Sequence, residues 1–266
     1  MKQLFYALPL LAVLVMGCNG KGGDPSAAAD NPEEEPLPER FENDDLPKAA
    51  DELFDDFMYY FASNEDLQRR RITFPLPVDT GKVDEEQWMM DPFFTTAGEY
   101  TLIFDNAEQR ELVSDTTIGK TVVEKIFLTT DSIRQYQFER EEGRWHLTSI
   151  SQQPLTKNAN ADFLQFYRSF ATDSAFQQQS LKEEIAFTGP DPEDDFAQME
   201  GFITPDSWEA FAPVLPSDTI YNIVYGQQNR RAKEKVFVIC GIANGQEIEL
   251  TFEKKRGRWI LAKLTE

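Results

Sequence analysis

Histidine occurs once in these 266 residues and cysteine twice, and both scarcities remove chemistry at the outset. One His and two Cys cannot fill a four-ligand Cys/His zinc site, and Cys18 and Cys240 are too far apart in sequence to form a paired-cysteine redox motif. With Cys18 committed to the role described below, Cys240 has no partner for an internal disulfide. Positive charge is also short, with 26 Lys and Arg against 47 Asp and Glu, a formal net charge of −21. Such a surface repels phosphate backbones and anionic headgroups, so no nucleic-acid partner is expected. A Gly-x-Ser-x-Gly elbow and a Gly-rich phosphate loop are both missing, and no metal-ligand spacing stands out.

What is present begins at the N-terminus. Lys2 precedes an apolar run from Leu4 to Met16, and Gly17-Cys18 follows. One cation, a short apolar stretch and a small residue before the cleavage point predict a bacterial export signal over residues 1–18. The run is too short for a comfortable span. Val15-Met16-Gly17-Cys18 has the form of a lipobox, in which the Cys18 thiol is acylated and becomes the mature N-terminus. Each buried methylene contributes about 0.8 kcal/mol, so two or three acyl chains tether without spanning. The expected partner is therefore the lipid bilayer through acylated Cys18. The expected place is the bacterial cell envelope, at the outer membrane on its periplasmic or surface side.

Residues 19–45 carry nine carboxylates against Lys21 and Arg40, with little to bury. This composition predicts a disordered acidic tether. It serves as a spacer, or its acidic cluster acts as a surface-sorting signal.

The rest is written twice. Phe54, Phe57, Phe61 and Ala62 return 109 residues later as Phe163, Phe166, Phe170 and Ala171, and the copies close on Gly143-Arg144-Trp145 and Gly257-Arg258-Trp259. Two α+β domains of one kind are expected, at 46–153 and 157–266. Asp44-Asp45 before Pro47 predicts a helix start, and Leu53, Phe54, Phe57, Tyr60 and Phe61 share a helical face. Ser63-Asn64-Glu65-Asp66 restarts a short second helix. Arg69-Arg70-Arg71 is taken as a source of surface ion pairs rather than an anion clamp. Ile72 to Pro77 and its counterpart Ile185-Ala186-Phe187 form short edge strands. Gly189 to Asp195 reads as an inserted solvated loop; its four carboxylates suggest calcium, but the alternating ligands and the Gly of a calcium loop are lacking.

The β-rich halves align Tyr100-Thr101-Leu102 with Tyr221-Asn222-Ile223 and Lys125-Ile126-Phe127 with Lys235-Val236-Phe237. Tyr136-Gln137-Phe138 aligns in the same way with Leu250-Thr251-Phe252. Asn244-Gly245 predicts a two-residue hairpin that faces Ile239 with Leu250 and Phe237 with Phe252. The layout is helices laid on one face of a curved antiparallel sheet.

Leu67 to Pro77, Asp194-Asp195-Phe196, Tyr225-Gly226-Gln227-Gln228-Asn229 and the two Gly-Arg-Trp endings carry a resemblance. The chain resembles a Bacteroidetes lipoprotein family known as a domain of unknown function. The resemblance implies two tandem cystatin-like, or nuclear-transport-factor-2-like, domains. That superfold hosts isomerases, dehydratases and binding modules, so it implies no activity by itself.

No catalytic residue, cofactor or metal ligand is assigned. His146 has Ile260 as its counterpart and points away from Trp145 and Leu147, out of the core. Asp55, Asp56, Tyr59 and Tyr60 lie near the helix where small isomerases of the superfold keep their pocket, yet Asp55 and Asp56 flank the apolar stripe rather than lie in it. Tyr225, Gln227, Gln228 and Asn229 are the candidate binding residues, a strand end running into amides able to hydrogen-bond a sugar or peptide. The expected function is a non-catalytic envelope module holding a small ligand, glycan or envelope protein, with a small pocket enzyme as the alternative. Mature protein from its native host should carry acyl groups on Cys18; an intact mass without them would contradict this.

Overall fold

The computed structural model of the chain describes residues 52–191, 194–242 and 244–266. Cys18, segment 19–45 and the helix start at Asp44-Asp45 lie outside them. In the first half come α1 (Phe54–Ser63), α2 (Glu65–Arg70), β1 (Leu76–Val78), β2 (Gly81–Val83), β3 (Glu99–Phe104), β4 (Lys120–Phe127), β5 (Ser132–Glu141) and β6 (Arg144–Pro154). The second half follows the same order with α3 (Ala161–Thr172), α4 (Ser174–Gln179), β7 (Leu181–Asp191), β8 (Asp194–Ile203), β9 (Thr219–Tyr225), β10 (Glu234–Gly241), β11 (Glu247–Lys255) and β12 (Arg258–Thr265).

The helices follow from local chemistry. Phe54, Phe57 and Phe61 recur at helical spacing and are buried, while Asp55 and Asp56 complement the positive end of α1. Asn64 Oδ1 accepts from Leu67 N at 2.9 Å and caps α2. Asp173 caps α4 in the same way, accepting from Ala175 N and Phe176 N. The arginines at the end of α2 make ion pairs, Arg69 in its last turn with Glu65 and Arg71 at its C-cap with Glu52.

All twelve strands join one sheet in the order β2-β1-β6-β5-β4-β9-β3-β10-β11-β12-β7-β8. Residues Lys48–Glu266 form one compact unit. The expectation of two separate sheets at 46–153 and 157–266 is corrected by this order. The halves exchange strands: β9 lies against β4 and β3 against β10, both antiparallel, and β3 runs parallel to β9 between them. The sheet is therefore mixed rather than antiparallel throughout.

Side chains reverse direction at each strand residue, so the central strands feed two cores on opposite faces. Leu102 and Phe104 of β3 and Tyr221, Ile223 and Tyr225 of β9 pack with α1. Ile103 and Ile220, their neighbours in sequence, pack with α3. Each core is built on one aromatic arrangement. Phe54 meets Trp145 edge-on at 5.0 Å and Phe138 at 5.3 Å; Phe163 meets Trp259 at 5.5 Å and Phe252 at 5.3 Å. Such pairs contribute about 0.5–1.5 kcal/mol each beyond area burial. A glutamine closes each core, Gln68 fully buried and Gln177 partly so. Gln68 Nε2 donates to Phe61 O and its Oε1 accepts from Trp88 Nε1. Gln177 donates to Phe170 O and accepts from Trp208 Nε1 in the same manner.

Five further expectations change. The hairpin pairs Ile239 with Ile248 and Phe237 with Leu250, two residues from the expected register. Gly241 N bonds Gln246 O, so the loop is longer than two residues; a shift of two keeps every side chain on its expected face. Phe237↔Leu250 matches Val123↔Tyr136, which makes Thr121 rather than Lys125 the counterpart of Lys235. Phe237↔Ile103 against Val123↔Ile223 likewise makes Thr101 the counterpart of Tyr221. Finally, Gly189-Pro190 continues β7 into its hairpin with β8 instead of forming a loop, and Ile72 makes a single bridge to Leu147 ahead of β1.

Because each core borrows a strand, fragments 46–153 and 157–266 should not fold as independent monomers. Produced together, they should associate one to one with the circular dichroism of the intact chain. A folded, monomeric 46–153 fragment by light scattering would contradict the exchange.

Candidate functional site

The edge of α1 that flanks its phenylalanines does not face solvent. A cavity of about 230 Å³ lies between it and the sheet, bounded by Met58, Tyr59, Phe94, Tyr100 and Ile223, with Gly241-Ile242 at the end of β10. Asp55 stands in it. The Tyr225 hydroxyl donates to Asp55 Oδ1, and the Tyr100 hydroxyl reaches the same carboxylate. Burial pushes the Asp55 carboxyl above its ordinary value of 3.8, and the neighbouring Asp56 adds to this; the tyrosine hydrogen bonds oppose it. No Lys or Arg pairs with Asp55 among the described residues. Burial also raises Tyr100 and Tyr225, and it pushes the nearby Cys240 thiol up to about 12, so that thiol is inert at neutral pH.

The cavity draws α1 and β3 from the first half and β9 and β10 from the second. Strand registers identify what the second half places at the equivalent positions under α3. Leu164 stands for Asp55, Ile220 for Tyr100, Ile126 for Cys240 and Ile133 for Glu247. All four are buried aliphatics. One half is filled at this place; the other keeps polar groups and space.

A second, polar cavity of about 320 Å³ opens on the sheet's other face. Glu124, 2% exposed, lies at its base. Its Oε1 accepts from Gln135 Nε2 at 2.8 Å and Asn158 Nδ2 at 2.7 Å, while Asn222 Nδ2 lies 3.4 Å from Oε2. Burial raises its pKa, offset by these amides. Beside it Lys235 is buried against Asp105 and Asn160, and burial lowers its pKa against the pull of that pair.

The four residues singled out in the sequence do not converge. Tyr225 is buried on the α1 face, at Asp55. Gln228 lies on the opposite face, where it accepts from Asn160 Nδ2 and donates to Ile103 O. Asn229 uses its backbone N–H on Asp105 and its side chain on Arg231 N, and Gln227 is exposed. Strand alternation and the turn at Gly226, whose φ is 68°, separate them. His146 is half-buried on the side away from Trp145 and Leu147, and burial lowers its pKa.

Sequence reasoning placed Asp55, Asp56, Tyr59 and Tyr60 beside the pocket helix. The structure puts Asp55, Asp56 and Tyr59 on the cavity and leaves Tyr60 exposed. Tyr100, aligned only as a strand residue, Phe94 and Glu124 were not singled out from sequence. Glu124 carried a visible mark: a carboxylate between Val122 and Ile126 on one face of an apolar strand.

Asp55→Asn keeps an acceptor for Tyr225 and removes the buried charge. Since the folded pKa lies above the unfolded value of 3.8, wild-type stability falls as pH rises through the folded pKa and stays lower above it. Denaturation midpoints of the two proteins should coincide below about pH 4 and separate above it, with Asp55→Asn the more stable at neutral pH. A variant less stable than wild type at pH 7 would refute this.

The family described as Domain of unknown function (DUF4348) matches residues 33–266. The chain is also similar to the crystal structure of an NTF2-like protein from Bacteroides fragilis. That likeness has 41% sequence identity and a TM-score of 0.74, and it covers 82% of this chain and 96% of that one. No curated protein matches the chain.

Proposed function

The chain belongs to the DUF4348 family, and from that premise we propose that it is a non-catalytic binding module, tethered to the bacterial envelope through acylated Cys18, that holds a small ligand in the cavity under α1. The observation that carries this reading is the difference between the halves. Four polar or ionisable groups stand in and beside one cavity where the other half is packed with Leu164, Ile220, Ile126 and Ile133. Burying Asp55 without a cation costs stability, and a core under no other constraint is more stable filled as the second half fills it. At about 230 Å³ the space is below the roughly 300–1,000 Å³ of drug-sized sites, which suits a compact ligand. The acidic segment 19–45 would hold this module off the bilayer.

A second reading, a small isomerase or dehydratase, draws on the raised pKa of Asp55 beside two tyrosine hydroxyls, a pairing suited to proton abstraction. It is the weaker one, because Tyr225 already occupies one oxygen of the carboxylate.

The double variant Asp55→Leu/Tyr100→Ile imports the second half's residues. Wild-type protein isolated from its native envelope should release a small molecule on denaturation, seen by mass spectrometry. The double variant should release at least tenfold less while folding normally. Equal release from both would overturn the assignment of the cavity.

A further inference from the structure

We infer that the cavity under α1 selects a compact organic cation, a substituted ammonium or small amine. This rests on the reading of the cavity as a binding site and adds its ligand class.

Charge is the first support. Asp55 at the cavity's inner wall and Asp56 at its rim carry the only formal charges of the lining. Asp55 is held by hydroxyl groups and by no cation of the chain among the described residues. The nearby cations are already committed. Arg110 is gripped by Glu247 and Glu249, and Lys125 lies over the Tyr221 ring, 5.1 Å from its centroid. The other ionisable groups facing Asp55 are Tyr100, Tyr225 and Cys240, with Glu247 acting on Tyr100 and Cys240. Burial keeps the tyrosines and the thiol neutral, and none of the four can supply positive charge. A ligand that neutralises Asp55 must bring that charge itself.

The walls are the second support. Tyr59, Phe94 and Tyr100 line the same space, and Phe94 and Tyr100 lie 5.2 Å apart at 36°. Aromatic faces attract cations and tolerate the methyl or methylene groups of an ammonium, which water-stripped carboxylates alone do not. A hard divalent ion needs six to eight oxygens, and these walls offer carbon on most sides. An anion would meet Asp55 and Asp56 with no donor cation to offset them.

Three probes of one shape separate the possibilities: tetramethylammonium, neutral tert-butanol and anionic pivalate, titrated calorimetrically into the mature full chain at pH 7.5 and low salt. Tetramethylammonium should bind at least tenfold more tightly than tert-butanol, and pivalate should not bind. Asp55→Asn should weaken the cation about tenfold and leave tert-butanol unchanged. Tyr59→Leu, at a half-exposed rim position, should weaken the cation severalfold. Lowering the pH through the raised Asp55 pKa should abolish the preference. If tert-butanol binds as tightly as the cation, or Asp55→Asn changes nothing, the cation inference falls and the cavity remains a binding site. Calcium displacing tetramethylammonium at equal concentration would overturn it in favour of a metal. If no probe binds and the double variant Asp55→Leu/Tyr100→Ile releases as much native ligand as wild type, both readings fall together.

Discussion

The parallel contact between β3 and β9 is the constraint on which everything else depends. Each strand lies beside the other's half, so each presents one row of side chains to the α1 core and the other to the α3 core. A strand buried on both faces must be apolar on both, and Ile220 to Tyr225 and Thr101 to Phe104 meet that demand nearly throughout. Neither core can be dismantled without uncovering the other. The cavity under α1 inherits this dependence, since its helix comes from one half and much of its floor from the other.

Around that contact, stability is supplied twice by the same devices. A phenylalanine at the start of the long helix sits edge-on to the tryptophan of the last strand. A glutamine then ties the second helix to a tryptophan from the following segment. Each glutamine satisfies an indole N–H and a helix carbonyl that would otherwise be stranded, and an orphaned group of that kind costs about 1–3 kcal/mol. Among the places where the halves differ, Asp55 and Tyr100 stand where the second half has buried leucine and isoleucine. Function is sought there because that difference works against close packing.

Much of this was legible from sequence, and the limits are physical. Phe54, Phe57 and Phe61 announced the helix and Gly143-Arg144-Trp145 the closing hairpin, because local periodicity and turn chemistry are written in adjacent residues. The exchange was not legible. Alternation along β3 or β9 is the same whichever neighbour the strand takes, and pairing partners lie more than a hundred residues apart. Register failed for a related reason: Lys125 and Lys235 look equivalent in a string, but Phe138 and Phe252 pair with Thr121 and Lys235. Tyr225 and Gln228 looked like one site because only two residues of chain separate them, and the turn at Gly226 sends them to opposite faces. Asp55 was visible as a carboxylate beside an apolar stripe; that the space beyond it stays open depends on residues from β3, β9 and β10.

The buried polar pairs bear on which strand goes where. Glu124 stands opposite Asn222, whereas the corresponding pair in the other half is Val238 opposite Leu102. Lys235 finds Asp105, whereas Thr121 finds Tyr225. Were β3 and β9 each to return to its own half in the equivalent register, Glu124 would face Leu102 and Lys235 would face Tyr225. Glu124 would then lose Asn222, and Lys235 would lose its carboxylate partner Asp105. A chain made by doubling one ancestral unit begins with two interchangeable strands and no preference between a crossed and an uncrossed ending. These two pairs remove that ambiguity: they act as an address, and only the crossed delivery is accepted.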